Sequence, residues 1–320
     1  MSDVEKIVKN LKNNQTRDPI GMINELFKPG VMGQDMKKSV LLLVNGVKVY
    51  FSFPEFMQLA NISSLYKNSG SRFSLESDRG IFILTVFRKI LDKLIYKDKY
   101  PEVEKNMSDS NIGARRGKSI KNHLFIIYAK INSVLVEEKS CIDIQIYDLV
   151  KAFDRLWLED CMNDLYDSLP SEHRDDQLAL IYEGNSFNKV AVNTPVGLTD
   201  RVNIENIVTQ GGVFGPLQCS NSIDTIGKKC YSKGEHLYSY KQMVQIMPLS
   251  MVDDLLAVAP CNQKSVALNA YLNAQIELKK LSFHTKDAKG KSKCHVLHVG
   301  RNSDLCSHPT TPWHKYEPCV

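Results

Sequence analysis

MPLSMVDDLLAVAP, the stretch from Met247 to Pro260, sets two adjacent carboxylates, Asp253 and Asp254, in the middle of an apolar run. This pattern predicts two short buried strands joined by a tight turn that carries the acids. Ionised carboxylates in apolar surroundings are costly unless a cation balances them, so the stretch suggests a cation site. Asp is also common in ordinary exposed turns, and the stretch by itself does not decide between the two interpretations.

The composition is that of an ordinary globular protein. The chain has 320 residues, of which 43% are hydrophobic and 24% charged, so it is long enough to bury one large core or two moderate ones. No apolar run approaches the roughly 18 residues of a membrane span, and the N-terminus lacks the apolar segment of a secretory signal. We therefore expect an intracellular protein without membrane contact, and the sequence does not distinguish the nucleus from the cytoplasm.

The cysteines do not form a disulfide or metal pattern. They are unevenly spaced and contain no CxxC pair, so most are predicted to be reduced residues of the core. Near the C-terminus they mix with histidines, but the spacing fits no standard zinc site; the residues are Cys294, His295, His298, Cys306, His308, His314 and Cys319. The net charge of +5 gives only weak support for a polyanionic partner.

A strand that ends in an acid precedes the hairpin along the chain. Alternating apolar residues predict a strand from Cys141 to Tyr147, which ends at Asp148. The next segment, LVKAFDRLWLEDCMNDLYDSL, is predicted to be a helix stopped by Pro170. Sites on sheets are often assembled at strand ends, although a single Asp there is also a common helix cap.

Two loops have the composition of sites that approach phosphates or bases. In SDSNIGARRGKSIKNHLF (108–125), small residues and cations precede a helix with the periodic apolar run Ile120, Leu124, Ile127, Tyr128, Ile131 and Leu135. Such a segment suits a phosphate site, but a capped helix with a solvated first turn is a serious alternative. In TQGGVFGPLQC (209–219), the glycines permit close backbone approach, and Pro216 suits the first turn of the following helix.

The remaining segments complete a mixed order of helices and strands. Residues 35–50 are helix-like or mixed and lead into the strand-like VKVYFSF (47–53), and the two alternatives stay open. The other predicted elements are a helix from Gly80 to Tyr96, a hairpin of Phe187–Val192 with Val202–Val208, a helix from Val266 to Leu281 and a strand CHVLHVG (294–300).

The order of these parts is more specific than any one of them. Two strands supply Asp148, Asp253 and Asp254, a glycine loop can approach a substrate closely, and basic segments flank them. These are the parts of a two-metal phosphoryl-transfer site.

In this order the chain resembles the reverse transcriptases, most closely those of non-LTR (LINE-like) retrotransposons. DLVKAFD (148–154) resembles the first palm motif of that family, QGGVFGP (210–216) its Gln-Gly loop and MVDD (251–254) its hairpin of two aspartates. NIGARRGKSIKNHLF (111–125) is similar to the basic fingers segment and KSKCHVLHVG (291–300) to the lysine-bearing segment beyond the palm. Met251 departs from the family, which usually has an aromatic or small residue there.

The resemblance implies an α+β fold with the fingers and palm of a right-hand polymerase, the palm being an antiparallel sheet backed by helices. It implies an N-terminal extension at 1–50, a reverse transcriptase domain at 51–300 and an irregular tail at 301–320, with fingers at about 51–140 and palm at about 141–300. The chain ends about where a thumb would begin, so we expect a fragment of a longer polyprotein or a truncated genomic copy.

The resemblance also assigns site residues and cofactors. Two Mg²⁺ or Mn²⁺ ions would be bound by Asp148 and Asp253, with Asp254 completing the acidic cluster, and these three residues would be catalytic. The residues implied to bind dNTP are Phe153, Gln210, Gly211 and Arg79, and those implied to bind template or primer are Arg115, Arg116, Lys118, Met251 and Lys293. A ring at Phe153 would clash with a 2′-hydroxyl and so favour dNTPs over NTPs.

The implied function is that of an RNA-directed DNA polymerase core, with an RNA template, a DNA primer and dNTPs as partners. The alternative is a retrotransposon-derived fragment that binds RNA but no longer polymerises. The intact carboxylates favour the first, and the expected lack of a thumb favours the second.

Overall fold

The computed structural model describes residues 3–68, 70–72, 74, 77–138, 141–186, 188–205, 208–233, 239–240, 244–245, 248–260, 263–284, 293–300 and 317–318. The chain folds into two compact units, and each unit is formed by two segments of the sequence. The first unit comprises residues 1–106 and 157–218, and the second comprises residues 107–156 and 219–320. None of the described helices is long and apolar enough to cross a lipid bilayer.

The described α-helices are α1 (Asp3–Lys9), α2 (Gln34–Tyr50), α3 (Val86–Asn106), α4 (Ile120–Asn132), α5 (Ala152–Arg155), α6 (Leu158–Ser168), α7 (Gln177–Ser186), α8 (Gly215–Lys233) and α9 (Gln263–Leu278). Short 3-10 helices span Asn24–Phe27, Glu55–Gln58 and Ser171–His173, and a π-helix at Ser133–Glu138 continues α4.

The described strands are β1 (Leu59–Tyr66), β2 (Asp78–Leu84), β3 (Cys141–Asp148), β4 (Asn188–Thr194), β5 (Gly197–Leu198), β6 (Val202–Ile204), β7 (Ser239–Tyr240), β8 (Val244–Gln245), β9 (Leu249–Met251), β10 (Asp254–Pro260), β11 (His295–Gly300) and β12 (Glu317–Pro318). Among the described strands, β7 and β8 form a separate two-stranded sheet.

The first unit contains a mixed sheet in the order β2-β1-β4-β5, with β6 also pairing with β4. β1 is antiparallel to β2 and parallel to β4. Ala60, Phe82, Leu84 and Val190 form the buried cluster on one face of this sheet. Phe82 and Leu84 alternate with less buried neighbours, as expected of a strand that pairs with β1.

Arg88 is a fully buried cation of the first unit. Its Nε lies 2.6 Å from Oδ1 of Asp92, its guanidinium donates to the carbonyl of Gly184, and its Cζ lies 4.7 Å from the centre of the Phe53 ring. A Cβ on Gly184 would meet Nη2 at 2.2 Å, so only glycine leaves room for the guanidinium. Burial raises the pKa of Asp92 in spite of its cationic partner.

The second unit is built on a sheet in the order β12-β11-β3-β10-β9. β3 is central and antiparallel to both β10 and β11, whereas the edge pair β11–β12 is parallel. Val134, Ile142, Ile144 and Val258 form a buried cluster, against which apolar residues of α4 pack. The fold is therefore a mixed α+β fold with an antiparallel sheet backed by helices, as predicted.

Several predicted elements are confirmed. The strand that ends at Asp148 is β3, the carboxylate hairpin is β9–β10, and the strand CHVLHVG is β11. The hairpin predicted after α7 is the β4–β6 pair, and Pro216 lies in the first turn of α8.

Other elements are placed or oriented differently. Gly80 to Leu84 belongs to β2 and not to the predicted helix, which begins at Val86, because β1 supplies a partner for an alternating run. The strand-like VKVYFSF is helical as far as Tyr50, since it continues the apolar face of α2. The predicted single helix after Asp148 is split into α5 and α6 at Leu156–Trp157.

Candidate active site

Asp148 and Asp254 are directly opposite each other in the central sheet of the second unit. β3 ends with Asp148, β10 begins with Asp254, and the antiparallel register pairs these two residues. Directly opposed residues project from the same face of a sheet, with Cβ atoms about 4.5–5.5 Å apart. The register therefore brings two carboxylates from distant parts of the sequence to one sheet edge.

The third carboxylate lies in the turn beside this pair. Met251 pairs with Asp254, which leaves Val252 and Asp253 as a two-residue turn. Val252 has φ of 59°, a left-handed conformation that is a genuine outlier for a β-branched residue. Such backbone costs about 1–3 kcal/mol and persists only where the surroundings hold it. The turn that presents Asp253 is therefore held under strain.

The three carboxylates share one electrostatic field. Burial raises the pKa of Asp254, the carboxylates of Asp253 and Asp148 raise it further, and Lys293 lowers it. A like charge at close range disfavours ionisation, so this direction is the expected one for a carboxylate cluster. A cation placed among these groups would lower the pKa of Asp254 and relieve the repulsion.

Asp148 has two basic neighbours, His284 and Lys293. Its Oδ2 is buried and makes no hydrogen bond of good geometry to any described residue, but Nε2 of His284 and Nζ of Lys293 each lie 3.1 Å from it. The backbone N–H of His284 also donates to the carbonyl of Asp148 at 2.9 Å. His284 was not predicted as a site residue, and its position depends on a bridge between Leu149 and Phe283 for which the sequence carries no motif.

The donor set suits a hard divalent cation, because carboxylate oxygens are the ligands that Mg²⁺ and Mn²⁺ prefer. The buried Oδ2 of Asp148, with no well-aligned donor, is the atom that such an ion would satisfy. Within the part of the chain that the structure describes, no three His, Cys, Asp or Glu side chains are placed closely enough to hold a metal ion together. An ion that binds Oδ2 of Asp148 would take the place of a basic side chain that now lies 3.1 Å from this atom.

A loop that precedes α4 is attached to the strand that leads into the turn. Asn111 forms a parallel bridge with Ser250 of β9, the N–H of Ile112 donates to the carbonyl of Ser250 at 2.9 Å, and the N–H of Ser250 donates to the carbonyl of Ser110 at 3.0 Å. The Asn111 side chain donates to the carbonyl of Ser220 at 2.8 Å. Loop and strand are thereby joined by backbone and side-chain hydrogen bonds.

Gly113 brings this loop into contact with the turn itself. A Cβ at Gly113 would lie 2.3 Å from the backbone N of Val252 and 2.6 Å from Oγ of Ser220. The Ser220 hydroxyl donates to the carbonyl of Gly113 at 2.8 Å. The loop therefore packs backbone against backbone on the strained residue next to Asp253. Gly113 lies within the basic segment identified in the sequence, but nothing in that pattern indicated this contact.

The basic side chains of the same segment mostly form contacts within the loop. Arg115 donates to the carbonyls of Ser108 and Asn111 at 2.5 and 2.9 Å, and Nζ of Lys118 lies 3.0 Å from Oδ1 of Asp109. Arg116 is exposed. Contact of these residues with a template stays a prediction, and the contacts formed by Arg115 and Lys118 are internal ones.

Three other predicted residues belong to the second unit. Phe153 is half-buried in α5, the short helix that follows β3. Met251 is 45% exposed at the end of β9, beside the turn. Lys293 is described, whereas the rest of the predicted basic loop, from 286 to 292, lies outside the described residues, as do Cys306, His308, His314 and Cys319.

The remaining predicted dNTP residues belong to the first unit, where the structure brings them to one strand. The N–H of Phe82 in β2 donates to the carbonyl of Gln210 at 2.8 Å. Gly211 has φ of +104°, and a Cβ there would lie 2.8 Å from the carbonyl oxygen of Phe82. Arg79 is an exposed residue of the same strand. The glycine loop thus approaches a backbone closely, as its composition predicted, and that backbone is β2.

The fold is similar to that of two solved structures. The chain is similar to a telomerase from Candida albicans in complex with a fragment of telomeric RNA, with a TM-score of 0.53 and 12% identity over 84% of this chain and 47% of that one. It is also similar to an apo telomerase from Candida tropicalis truncated from its C-terminal domain, with a TM-score of 0.51 and 13% identity over 84% and 56% of the two chains. The chain thus spans about half the length of these proteins.

Sequence comparisons do not extend this assignment, since no family model and no curated protein matches the chain. At such low identity the likeness concerns the fold alone. On that basis, the chain shares the mixed α+β fold of these telomerase structures.

Proposed function

We propose that this chain is the fingers and palm core of an RNA-directed DNA polymerase, which adds dNTPs to the 3′-hydroxyl of a primer. The observation that carries the proposal is the pairing of Asp148 with Asp254 across β3 and β10, with Asp253 on the adjoining strained turn. The order of the motifs along the chain supports a non-LTR retrotransposon as the source.

The carboxylates would hold two divalent cations, which when bound would activate the primer hydroxyl and stabilise the leaving pyrophosphate. In this proposal Asp148 and Asp253 provide the ligands, and Asp254 adds negative charge that draws cations to the site. The loop at Gly113 packs against the backbone of Val252 and would thereby help to fix the position of Asp253. Lys293, 3.1 Å from Asp148, is a candidate to place positive charge near the leaving group.

Phe153 of the second unit is proposed to exclude the 2′-hydroxyl of an NTP. Binding of dNTP by Gln210, Gly211 and Arg79 of the first unit is a separate proposal. A competition between dNTPs and NTPs measures the role of Phe153. A Phe153→Val variant should accept NTPs, and equal use of NTPs by the unaltered protein would refute the role.

RNA is the proposed template, and the telomeric RNA bound to the Candida albicans telomerase is consistent with an RNA partner for this fold. A second candidate function is RNA binding without synthesis. It is favoured by Lys293 and His284, which lie beside the Asp148 carboxylate at the place that a divalent ion would need.

Primer extension on an RNA template separates the two functions. The protein should extend a DNA primer in the presence of Mg²⁺ and dNTPs, and Asp148→Asn should abolish extension. Asp167→Asn, a matched change at an exposed carboxylate of α6, should leave it unaltered. Binding of the primer-template with steep salt dependence, but with no extension at any Mg²⁺ or Mn²⁺ concentration, would support the second function and contradict the first.

A further inference from the structure

α4 presents an apolar surface to solvent. Ile120, Leu124, Phe125 and Tyr128 are 50%, 57%, 73% and 66% exposed. Three of these residues, Ile120, Leu124 and Tyr128, belong to the periodic apolar run from which the helix was predicted. Contiguous exposed apolar side chains usually mark an interaction surface. We call these four residues, together with Lys121, the α4 face.

The orientation of α4 is fixed by its other side. Ile126, Ile127 and Ile131 pack against the buried cluster of the second unit. At its start, the side chain of Ser119 accepts a hydrogen bond from the N–H of Lys121, and the Asn122 side chain accepts one from the N–H of Ser119, a capping box that sets where the helix begins. The α4 face is therefore exposed because the helix buries a different apolar stripe.

The sequence around the α4 face is rich in basic residues, two of which, Arg115 and Lys118, form contacts within the loop. From Asn111 to Val136 the sequence contains no Asp or Glu, whereas it contains Arg115, Arg116, Lys118, Lys121 and Lys130. Lys121 is exposed and lies one turn before Phe125 and two turns before Tyr128, so these side chains share one side of the helix. The partner of this surface should therefore combine apolar area with negative charge.

Charge distinguishes between the possible partners. Lys is depleted at the core of protein interfaces, which disfavours a protein partner centred on Lys121. A second copy related by a two-fold axis would place the same basic surface against itself. A single-stranded nucleic acid fits both properties, because bases stack on aromatic rings while phosphates attract lysine. Rings at i and i+3 are adjacent on a helix, so successive bases could use Phe125 and Tyr128.

We propose that the α4 face binds single-stranded RNA. The choice of RNA over DNA rests on the proposed function, whereas the binding itself does not require catalysis. This contact would lie on a helix that carries none of the predicted catalytic or dNTP residues, and it would add affinity for the strand independently of base pairing.

Fluorescence anisotropy with a short, unstructured, labelled RNA tests the proposal in EDTA and without dNTPs. The double variant Phe125→Ala/Tyr128→Ala should weaken binding at least about tenfold, given the usual contribution of stacked rings. Tyr50→Ala, which removes an 80% exposed ring of α2, is the matched control and should bind as the unaltered protein does. Lys121→Gln should reduce the slope of log affinity against log salt by about 0.7.

Further variants show whether the rings act by stacking. Tyr128→Phe retains a ring and should keep full affinity, and unaltered melting curves should show that each variant folds. Unchanged RNA binding by the double variant would overturn the proposal, and so would a change in oligomeric state as its only effect. Tighter binding of DNA of the same sequence would overturn the choice of RNA. Asp148→Asn should bind this RNA normally, so loss of synthesis and loss of binding are separate results.

Discussion

Gly113→Ala tests whether the loop before α4 holds the carboxylate turn in place. The added Cβ would lie 2.3 Å from the backbone N of Val252, whereas ordinary contact begins at about 3.5 Å, so the overlap is about 1 Å. The neighbouring atom is backbone, and therefore the turn or the loop must move. Overpacking of this kind costs about 1–3 kcal/mol in the free energy of unfolding.

The functional consequence should exceed the loss of stability. A displacement of about 1 Å in a catalytic group commonly costs about 100-fold in rate. We therefore expect single-turnover incorporation of dNTP on a primed RNA template to fall about 100-fold, with the affinity for primer-template little changed.

The assay combines single-turnover kinetics with urea unfolding of the same preparation. Gly46→Ala is the control, because a Cβ there meets nothing within 4 Å and its helical backbone is unstrained. A Gly113→Ala protein that is folded, binds primer-template and incorporates dNTP at the unaltered rate would refute the positioning role of the loop.

Two further predictions concern charged groups of the second unit. Lys293→Gln should lower the Mg²⁺ concentration for half-maximal synthesis by up to about fivefold, since the ammonium group competes for Oδ2 of Asp148 and exposed ion pairs contribute about 0.2–1 kcal/mol. The control variant Lys38→Gln should have no effect. An unchanged Mg²⁺ dependence in Lys293→Gln would contradict the competition. Burial lowers the pKa of His123, so the unfolded state takes up its proton first, and stability should be lost as pH falls below about 6.5. Thermal melting from pH 7.5 to 5 should show a smaller loss of stability in His123→Gln than in the control His295→Gln. Equal losses of stability in the two variants would contradict the role of His123.

The sequence was sufficient to predict the centre of the candidate site. A paired acid in an apolar run and a strand that ends in Asp148 each predict local structure, and antiparallel pairing of the two strands then places Asp148 opposite Asp254. Alternation along β3 does not by itself give this register, because Asp143 and Gln145 are buried as well as Ile142 and Ile144, whereas Ile146 is exposed.

The errors occur where two apolar patterns compete. Residues 80–84 fit a helix or a strand on their own, and only the partner β1 selects the strand. In α4, the apolar residues cover most of the circumference, so their spacing does not determine which of them face the core. Ile126, Ile127 and Ile131 pack against the buried cluster of the sheet, whereas Leu124 and Tyr128 are exposed.

The supporting residues could not be predicted because their roles arise from contacts between distant segments. Gly113 is constrained by Val252, and His284 by Asp148, yet no local motif links either pair. Arg115 has the charge expected of a phosphate ligand, but the carbonyls of Ser108 and Asn111 engage its guanidinium. Residue type and spacing indicate which chemistry is possible, and the tertiary contacts decide how each side chain is used.

Incorporation of dNTP by Asp253→Asn, measured beside the unaltered protein at saturating primer-template and Mg²⁺, tests the central claim most directly. Loss of a ligand to a catalytic ion removes several kcal/mol of transition-state stabilisation, so the rate should fall about a thousandfold or more while primer-template binding is retained. Incorporation by Asp253→Asn at the rate of the unaltered protein would contradict the assignment of the hairpin as the catalytic site.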